Sequence, residues 1–236
     1  MDITYLREHP YLIGSLYFFG IWIVLFILNK KDKKEQLVFG IIGGVLGVLV
    51  EQMHLNDWWR PNFIYDFPIH IEDIFFGIGV MGISSVLYEF LFKKKQKSYS
   101  KLRPTKRYKI ILFIVAIFSM FGMYILFDVH SFWTSVIATF TVVIFIEIKR
   151  PDLTSSMVIS GLLMVLIALP SYWIGLTLQP NAIDSDWVNS KLSGYQIIGL
   201  PIEEYIWFFL VGFGSSALWE LAKGTKFYSS KKRAKK

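Results

Sequence analysis

The sequence predicts an all-α polytopic transmembrane bundle of seven spans. The chain of 236 residues is 54% hydrophobic, with a mean hydropathy of +0.47. Such values are typical of integral membrane proteins. Seven apolar segments approach the roughly 20 residues that a helix needs to cross a bilayer. They are continuously apolar and lack the in–out alternation of barrel strands, so helices are favoured over a β-barrel.

The hydropathy pattern places the spans, in chain order, at about 10–28, 36–53, 71–92, 108–127, 131–148, 153–172 and 201–222. The N-terminus has no basic start, and no small-residue cleavage site follows the first apolar run. We therefore expect the first span to be retained and not to be a removable signal peptide.

The basic residues indicate the orientation of these spans. Counting spans puts all four basic clusters on one side: 30–35, 93–109, 149–150 and 231–236. The loops at 54–70 and 173–200 carry only Arg60 and Lys191. The positive-inside rule then predicts an outside N-terminus and a cytoplasmic C-terminus. The net charge of +7 is explained by this topology, with attraction to anionic membrane lipids as a second effect, and not by nucleic-acid binding.

The third and seventh spans align without a gap, IEDIFFGIGVMGISSVLYEF (71–90) over IEEYIWFFLVGFGSSALWEL (202–221). The most telling matches are Glu72/Glu203, Asp73/Glu204, Ser84/Ser215, Ser85/Ser216 and Glu89/Glu220. This alignment predicts two parallel three-span repeats joined by span 4, a 3+1+3 layout with a pseudo-two-fold axis along the membrane normal. The expected units are a first repeat (1–92), a basic loop with the linking span (93–130), and a second repeat with a basic tail (131–236).

Paired acids at the start of both spans are the candidates for chemistry: Glu72, Asp73, Glu203 and Glu204, with Glu51 and Asp66 near the same boundary. Acids in a first helical turn also suit the positive end of the helix dipole, and Pro201 fits an ordinary helix start. Two observations favour a functional role over this alternative. The pair recurs in both repeats, and aromatic residues follow each time (Phe75 and Phe76; Tyr205, Trp207 and Phe208). Helical spacing puts Glu203 with Trp207 and Glu72 with Phe76.

Other patterns point to structure. Aromatics in the two outer loops (Trp58, Trp59, Phe63, Tyr65, Phe67; Trp173, Trp187, Tyr195) fit an interfacial belt for the most part, although some could stabilise a cation. Small-xxx-small spacing of the span 2 glycines (Gly40, Gly43, Gly44, Gly47) predicts close helix packing. The four histidines lack metal-ligand spacing, and the chain has no cysteine and no phosphate or dinucleotide motif. We therefore expect no metal and no cofactor.

The segment GYQIIGLPIEEYIWFF, residues 194–209, resembles the signature of the small integral-membrane lycopene cyclases, in which Pro-x-Glu-Glu opens a span. Pro201, Glu203 and Glu204 match this motif, and Trp187 also fits the family pattern. The first copy, DFPIHIEDIFF, departs from it because Pro68 lies four residues before Glu72 and Asp73 replaces the second Glu. Members of this family carry one motif per three-span half, so the chain resembles the fused two-repeat form.

This resemblance implies redox-neutral cyclisation of the end of lycopene or another linear isoprenoid. Protonation of a terminal double bond gives a cation, a neighbouring double bond attacks it, and a base removes a proton. It implies catalytic roles for Glu203 or Glu204 as proton donor and for Glu72 and Asp73 as the weaker candidates. Trp207, Phe208, Phe75, Phe76 and Pro201 would contact the substrate. The alternatives are a small-molecule carrier with the 3+1+3 layout and a non-catalytic membrane protein of the same fold.

Overall fold

The computed structural model describes residues 3–229, so the basic tail at 231–236 lies outside the described residues. Seven stretches of this part of the chain are long and apolar enough to cross a membrane: Pro10–Leu28, Lys33–Asp57, Ile71–Leu91, Ser100–Phe127, Ser131–Lys149, Pro151–Leu178 and Ile202–Lys223. The prediction of an all-α polytopic bundle is confirmed, and the chain is a multi-pass membrane protein.

The helices within these limits are α1 (Ile3–Glu8), α2 (Pro10–Leu28), α3 (Lys33–Asp57), α4 (Ile71–Leu91), α5 (Lys106–Ile117), α6 (Met123–Phe127), α7 (Ser131–Lys149), α8 (Thr154–Leu178), α9 (Ala182–Asp186), α10 (Ile202–Ser215) and α11 (Leu218–Lys223). A π-helical turn, Phe118–Gly122, joins α5 to α6 in the linking span. Three short 3₁₀ turns lie at Ser100–Leu102, Pro151–Leu153 and Asn189–Lys191.

Two helices extend beyond the predicted spans. Helix α3 continues to Asp57, and α8 continues to Leu178 although Pro170 lies inside it. Trp173, which the hydropathy pattern placed in an outer loop, therefore belongs to α8 and is exposed on its surface. The apolar run sets the minimum length of a span. The helix itself continues as long as its backbone hydrogen bonds can form.

Short strands occur where the sequence predicted loops. β1 (Lys94–Ser98) pairs antiparallel with β4 (Thr225–Ser229). β2 (Gln196–Ile197) and β3 (Leu200–Pro201) form a small hairpin. Its two turn residues, Ile198 and Gly199, have φ of 53° and 76°. A branched residue seldom adopts such a left-handed conformation, so the hairpin holds a strained turn just before α10.

Helices α4 and α10 lie side by side and run in the same direction. The rings of Phe76 and Trp207 stack at 5.8 Å near the start of both helices. The hydroxyls of Ser84 and Ser215 meet at 2.5 Å near the middle. Ser84 and Ser215 are 131 residues apart in the chain, and Phe76 and Trp207 have the same separation. Both contacts therefore join residues that the gapless alignment of the third and seventh spans pairs with each other.

Close contact between backbones holds each half of the bundle together. A Cβ added to Gly43 of α3 would lie 2.1 Å from the carbonyl oxygen of Gly77 in α4. A Cβ added to Gly212 of α10 would lie 2.5 Å from the carbonyl oxygen of Ser160 in α8. The glycines of α3 therefore pack closely as their spacing predicts, because only a residue without a side chain permits this approach.

The bundle has two chemically different ends. The end that holds the basic segments is closed by Arg150, whose side chain is fully buried. It donates to the carbonyl oxygens of Glu220 (3.0 Å) and Thr225 (2.6 Å) and forms an ion pair with Asp152 (2.8 Å). The opposite end, where α4 and α10 begin, contains a cavity.

Candidate active site

The cavity lies between both halves of the bundle and has a volume of about 100 Å³. Its lining includes nine aromatic residues: Tyr11, Phe18, Trp58, Trp59, Phe76, Tyr172, Trp187, Trp207 and Phe208. Three carboxyl groups also line it, those of Glu51, Asp186 and Glu204. A single water needs roughly 10–15 Å³ on this measure. The cavity therefore has room for a hydrocarbon group of several atoms beside acidic side chains.

Glu204, in the first turn of α10, is held by two donors. Trp187 Nε1 donates to its Oε1 at 2.8 Å, and the Tyr172 hydroxyl donates to its Oε2. Glu204 itself is buried. Donors on both oxygens stabilise a carboxylate away from water, so the site is built to tolerate negative charge here.

Glu51 has a different environment within the same cavity. It is buried on α3, and its Oε1 has no hydrogen-bond partner among the described residues. Its Oε2 lies 3.9 Å from Nδ1 of His54, which is beyond hydrogen-bond distance. His54 also lines the cavity, and its ring lies edge-on to that of Trp58 at 4.7 Å.

The aromatic rings contact one another around the cavity. Trp207 stacks on Phe76 and meets Trp58 edge-on at 6.4 Å. Phe208 stacks on Phe18 at 5.4 Å. Ring faces carry partial negative charge and stabilise nearby cations. These contacts fix the rings in place, so a cation formed in the cavity would meet oriented ring faces.

Glu72 and Glu203, the first acid of each pair, are not among the residues that line the cavity. Oε1 of Glu72 accepts from the Ile64 amide at 2.9 Å, and Oε1 of Glu203 accepts from the Ser193 amide at 2.7 Å. Each acid thus fixes the loop before its helix. The side chains of Glu72 and Glu203 turn toward these loop amides, whereas that of Glu204 turns into the cavity.

Asp73 contacts the cavity through another residue. The hydroxyl of Tyr11, which lines the cavity, donates to Asp73 Oδ1 at 2.9 Å, and His70 Nδ1 lies 3.3 Å from Oδ2. Burial lowers the pKa of His70 from 6.5, although the nearby acids Glu72 and Asp66 oppose the shift. Tyr11 and His70 thus hold Asp73 beside the cavity, although Asp73 is not itself among the lining residues.

The predicted substrate-contacting residues divide in two. Phe76, Trp207 and Phe208 line the cavity. Phe75 faces the other way and stacks on Phe19 at 4.6 Å, and Pro201 is buried in β3. Neither Phe75 nor Pro201 is among the lining residues. Consecutive helical positions point about 100° apart, which explains why only one of Phe75 and Phe76 reaches the cavity.

Several cavity residues carried no decisive sequence signal. Tyr11, Tyr172 and His54 are isolated polar residues in apolar spans. Trp58, Trp59 and Trp187 had been assigned mainly to an interfacial belt, yet all three line the cavity. Glu51 was already named with the candidate acids, and His54 could have been identified as well, because an intramembrane histidine is itself a functional signal.

Asp186 is the cavity acid nearest the loops, at the end of α9. Its Oδ1 accepts from Ser185 Oγ at 2.6 Å and from Gln179 Nε2 at 3.3 Å. Burial raises the pKa of Asp186, and these two hydrogen bonds oppose the shift. The Arg60 amide donates to its backbone oxygen at 2.5 Å, so Asp186 also joins the two loops at this end.

A separate acidic group lies at the opposite end of the bundle. Carboxylate oxygens of Glu35, Glu89 and Glu220 lie within 4.8 Å of one another, all buried, a spacing that could hold a metal ion. Gln96 Nε2 donates to Glu35 at 3.1 Å and to Glu220 at 2.8 Å. An amide donor already occupies two of these carboxyl groups, and the group has no connection to the cavity.

Comparison with known proteins finds a match for the C-terminal part of the chain, which supplies part of the cavity lining. Residues 130–222 match the lycopene cyclase family model. The matched part contains α7, α8 and α10, and with them Glu204, Trp187 and Tyr172. No curated protein and no solved structure matches the chain. The C-terminal part of this membrane protein is therefore a domain of the lycopene cyclase family.

Proposed function

We propose that this protein, whose residues 130–222 form a lycopene cyclase domain, cyclises the end of lycopene or a related linear carotenoid by acid–base chemistry in the cavity. The observation that carries the proposal is the position of Glu204. This acid of the Pro-x-Glu-Glu motif opens into a cavity lined by nine aromatic residues.

The reaction needs no redox partner. Protonation of the terminal double bond forms a tertiary cation, ring closure moves the positive charge, and loss of a proton gives the ring double bond. The protein has to supply a proton donor, a proton acceptor and a cavity that excludes water. Paired carboxyl groups among aromatic rings supply all three.

The surroundings of the cavity suit an apolar substrate. Seven apolar helices place the chain in the membrane, where carotenoids dissolve. The rings of Trp207, Phe76 and Trp58 offer contacts to a polyene and to a transient cation. Membrane lipid and a hydrophobic isoprenoid are thus the expected partners.

The test is cyclisation by purified protein. Protein reconstituted in liposomes with lycopene should form a cyclic product of unchanged mass, detected by chromatography and mass spectrometry. Glu204→Gln keeps the shape but removes the ionisable group, and it should slow the reaction by about 10²–10⁴-fold. Glu8→Gln, an exposed acid on α1, is the matched control and should react normally.

Two results would contradict the proposal. If wild-type protein binds lycopene but forms no cyclic product, the proposed cyclase activity is wrong. If the Glu204→Gln variant cyclises lycopene at the normal rate, Glu204 has no catalytic role.

A further inference from the structure

We infer that Glu51, on the first half of the chain, is the acid that protonates the substrate, and that Glu204 accepts the proton released from the ring. The inference rests on the proposed function and assigns its two proton-transfer steps. It places the donor outside the matched domain and outside the Pro-x-Glu-Glu motif.

The position of Glu51 is the first argument. Glu51, Asp186 and Glu204 are the carboxyl groups among the residues that line the cavity. A proton donor has to touch the reacting carbon, so Glu72, Glu203 and Asp73 are poorly placed for this step. Glu51 is contributed by α3 and Glu204 by α10, so the two groups approach the cavity from different helices.

Hydrogen bonding separates the roles of these carboxyl groups. Both oxygens of Glu204 accept from fixed donors, Trp187 and Tyr172, which favours a carboxylate. Oε1 of Glu51 is buried and unpartnered. Burying an ionised carboxyl group that has one oxygen without a donor is costly, so Glu51 holds its proton in the resting protein.

The surroundings of Glu51 leave that proton available. Its nearest basic group, His54 Nδ1, lies 3.9 Å away and forms no hydrogen bond. Asp186 differs, because Ser185 and Gln179 donate to it and it sits in the loop layer. A proton that no acceptor among the described residues engages, on a group that faces the cavity, is the one that a carbon–carbon double bond can take.

The steps balance without any further reactant. The π electrons of the terminal double bond form a C–H bond with the proton of Glu51, leaving a tertiary cation. The π electrons of a second double bond form the ring C–C bond and move the cation within the ring. Glu204 then removes a proton, and that C–H electron pair becomes the ring double bond. Once the product has left, water that enters the emptied cavity carries the proton from Glu204 back to Glu51.

Deuterium distinguishes the two roles. In D₂O the wild-type protein should place one deuterium in each ring formed. Glu51→Gln should lower cyclisation by about 10²–10⁴-fold and leave recovered lycopene unlabelled. Glu204→Gln should lower cyclisation similarly, but its recovered lycopene should gain deuterium, because the donor still protonates the double bond reversibly. Glu8→Gln serves as the control with wild-type behaviour.

Controls separate chemistry from folding. Glu51→Asp keeps a carboxylic proton and should retain measurable cyclisation, and this result supports the assignment even where Glu51→Gln unfolds in detergent. Loss of all activity in a folded Glu51→Asp protein would overturn it. Full activity of Glu51→Gln, or deuterium uptake in Glu51→Gln but not in Glu204→Gln, would also overturn it while leaving the proposed function intact. A wild-type protein that neither cyclises nor labels lycopene would overturn the proposed function and this assignment together.

Discussion

Ser84 of α4 and Ser215 of α10 share a hydrogen bond of 2.5 Å, although 131 residues separate them in the chain. The same separation relates Phe76 to Trp207, whose rings stack, and Glu89 to Glu220, which lie in one acidic group. It also relates Gln96 to Phe227, the central pair of the β1–β4 ladder. We propose that these four contacts follow the axis of the two predicted repeats.

Cysteine cross-linking checks this helix contact. The chain has no cysteine, so Ser84→Cys with Ser215→Cys should form the only disulfide on mild oxidation, because the two side chains meet. After protease cleavage in the 93–109 segment, the halves should stay joined until reduction. Ser84→Cys with Ser216→Cys is the control, since the next helical position points about 100° away. Equal cross-linking of both pairs would contradict the contact.

Glu203 and Glu204 should respond differently to substitution. Glu203→Ala leaves the Ser193 amide without its acceptor and should lower the free energy of unfolding by about 1–3 kcal/mol. Glu203→Gln keeps a carbonyl acceptor and should retain both stability and most cyclisation. Thermal unfolding in detergent and lycopene turnover are the measurements. If Glu203→Gln slowed cyclisation as strongly as Glu204→Gln, Glu203 would have to return to the candidate proton donors.

Trp207 should contribute to the stabilisation of a cation. Trp207→Leu removes one of several ring faces, a contact worth about 0.5–2 kcal/mol, so cyclisation should slow by roughly 2- to 30-fold. Trp173→Leu is the matched control, because Trp173 is exposed on α8 and does not line the cavity. Equal rates for the two variants would exclude Trp207 from this role.

His70 should make the protein sensitive to acid. Its pKa is lowered by burial from 6.5, so the unfolded chain binds more protons than the folded one below that pH. Stability is therefore complete above pH 6.5 and is lost as the pH falls through 6.5 toward the folded-state value. His70→Gln should narrow the difference in melting temperature between pH 7.5 and pH 5.5. An unchanged difference would show that other groups set the acid response.

The loop charges predict the orientation in the membrane, and labelling tests this prediction. With no native cysteine, Cys at position 185, in α9 at the cavity end, should react with an impermeant thiol reagent on intact cells. Cys at position 98, in β1 at the basic end, should react only after permeabilisation. The reverse pattern would place the cavity end in the cytoplasm.

Much of the fold could be predicted because span length is a local property of the chain. Seven apolar runs, the basic segments between them and the paired acids at positions 72–73 and 203–204 are all visible in order. The limits of α3 and α8 could not be predicted from hydropathy, because helical hydrogen bonding continues past the apolar run. The strands β1 and β4 could not be predicted either, because their hydrogen bonds join segments far apart in the chain.

The candidate site was predicted only in part. The motif identified Glu204, and the aromatic residues after it identified Trp207 and Phe208. Helical spacing by itself favoured Glu203 over Glu204 as the partner of Trp207, yet Glu203 turns to the Ser193 amide. A side chain in the first turn of a helix can bond to the preceding loop. Helical spacing alone does not predict such a bond, because it considers only residues within the helix.

The sequence by itself determined the membrane-spanning character of this protein, the number of its spans and the position of its acidic motif. These properties follow from the cost of placing polar groups in hydrocarbon. Each segment has to satisfy that requirement through its own residues. Only the tertiary structure decided that Glu51 of α3 and Glu204 of α10 line one cavity. That outcome depends on the rotation of each helix about its axis and on how closely neighbouring helices pack. Gly43 and Gly77, for example, allow the close contact between α3 and α4. Rotation and approach are properties of pairs of helices and are set by surfaces far apart in the chain.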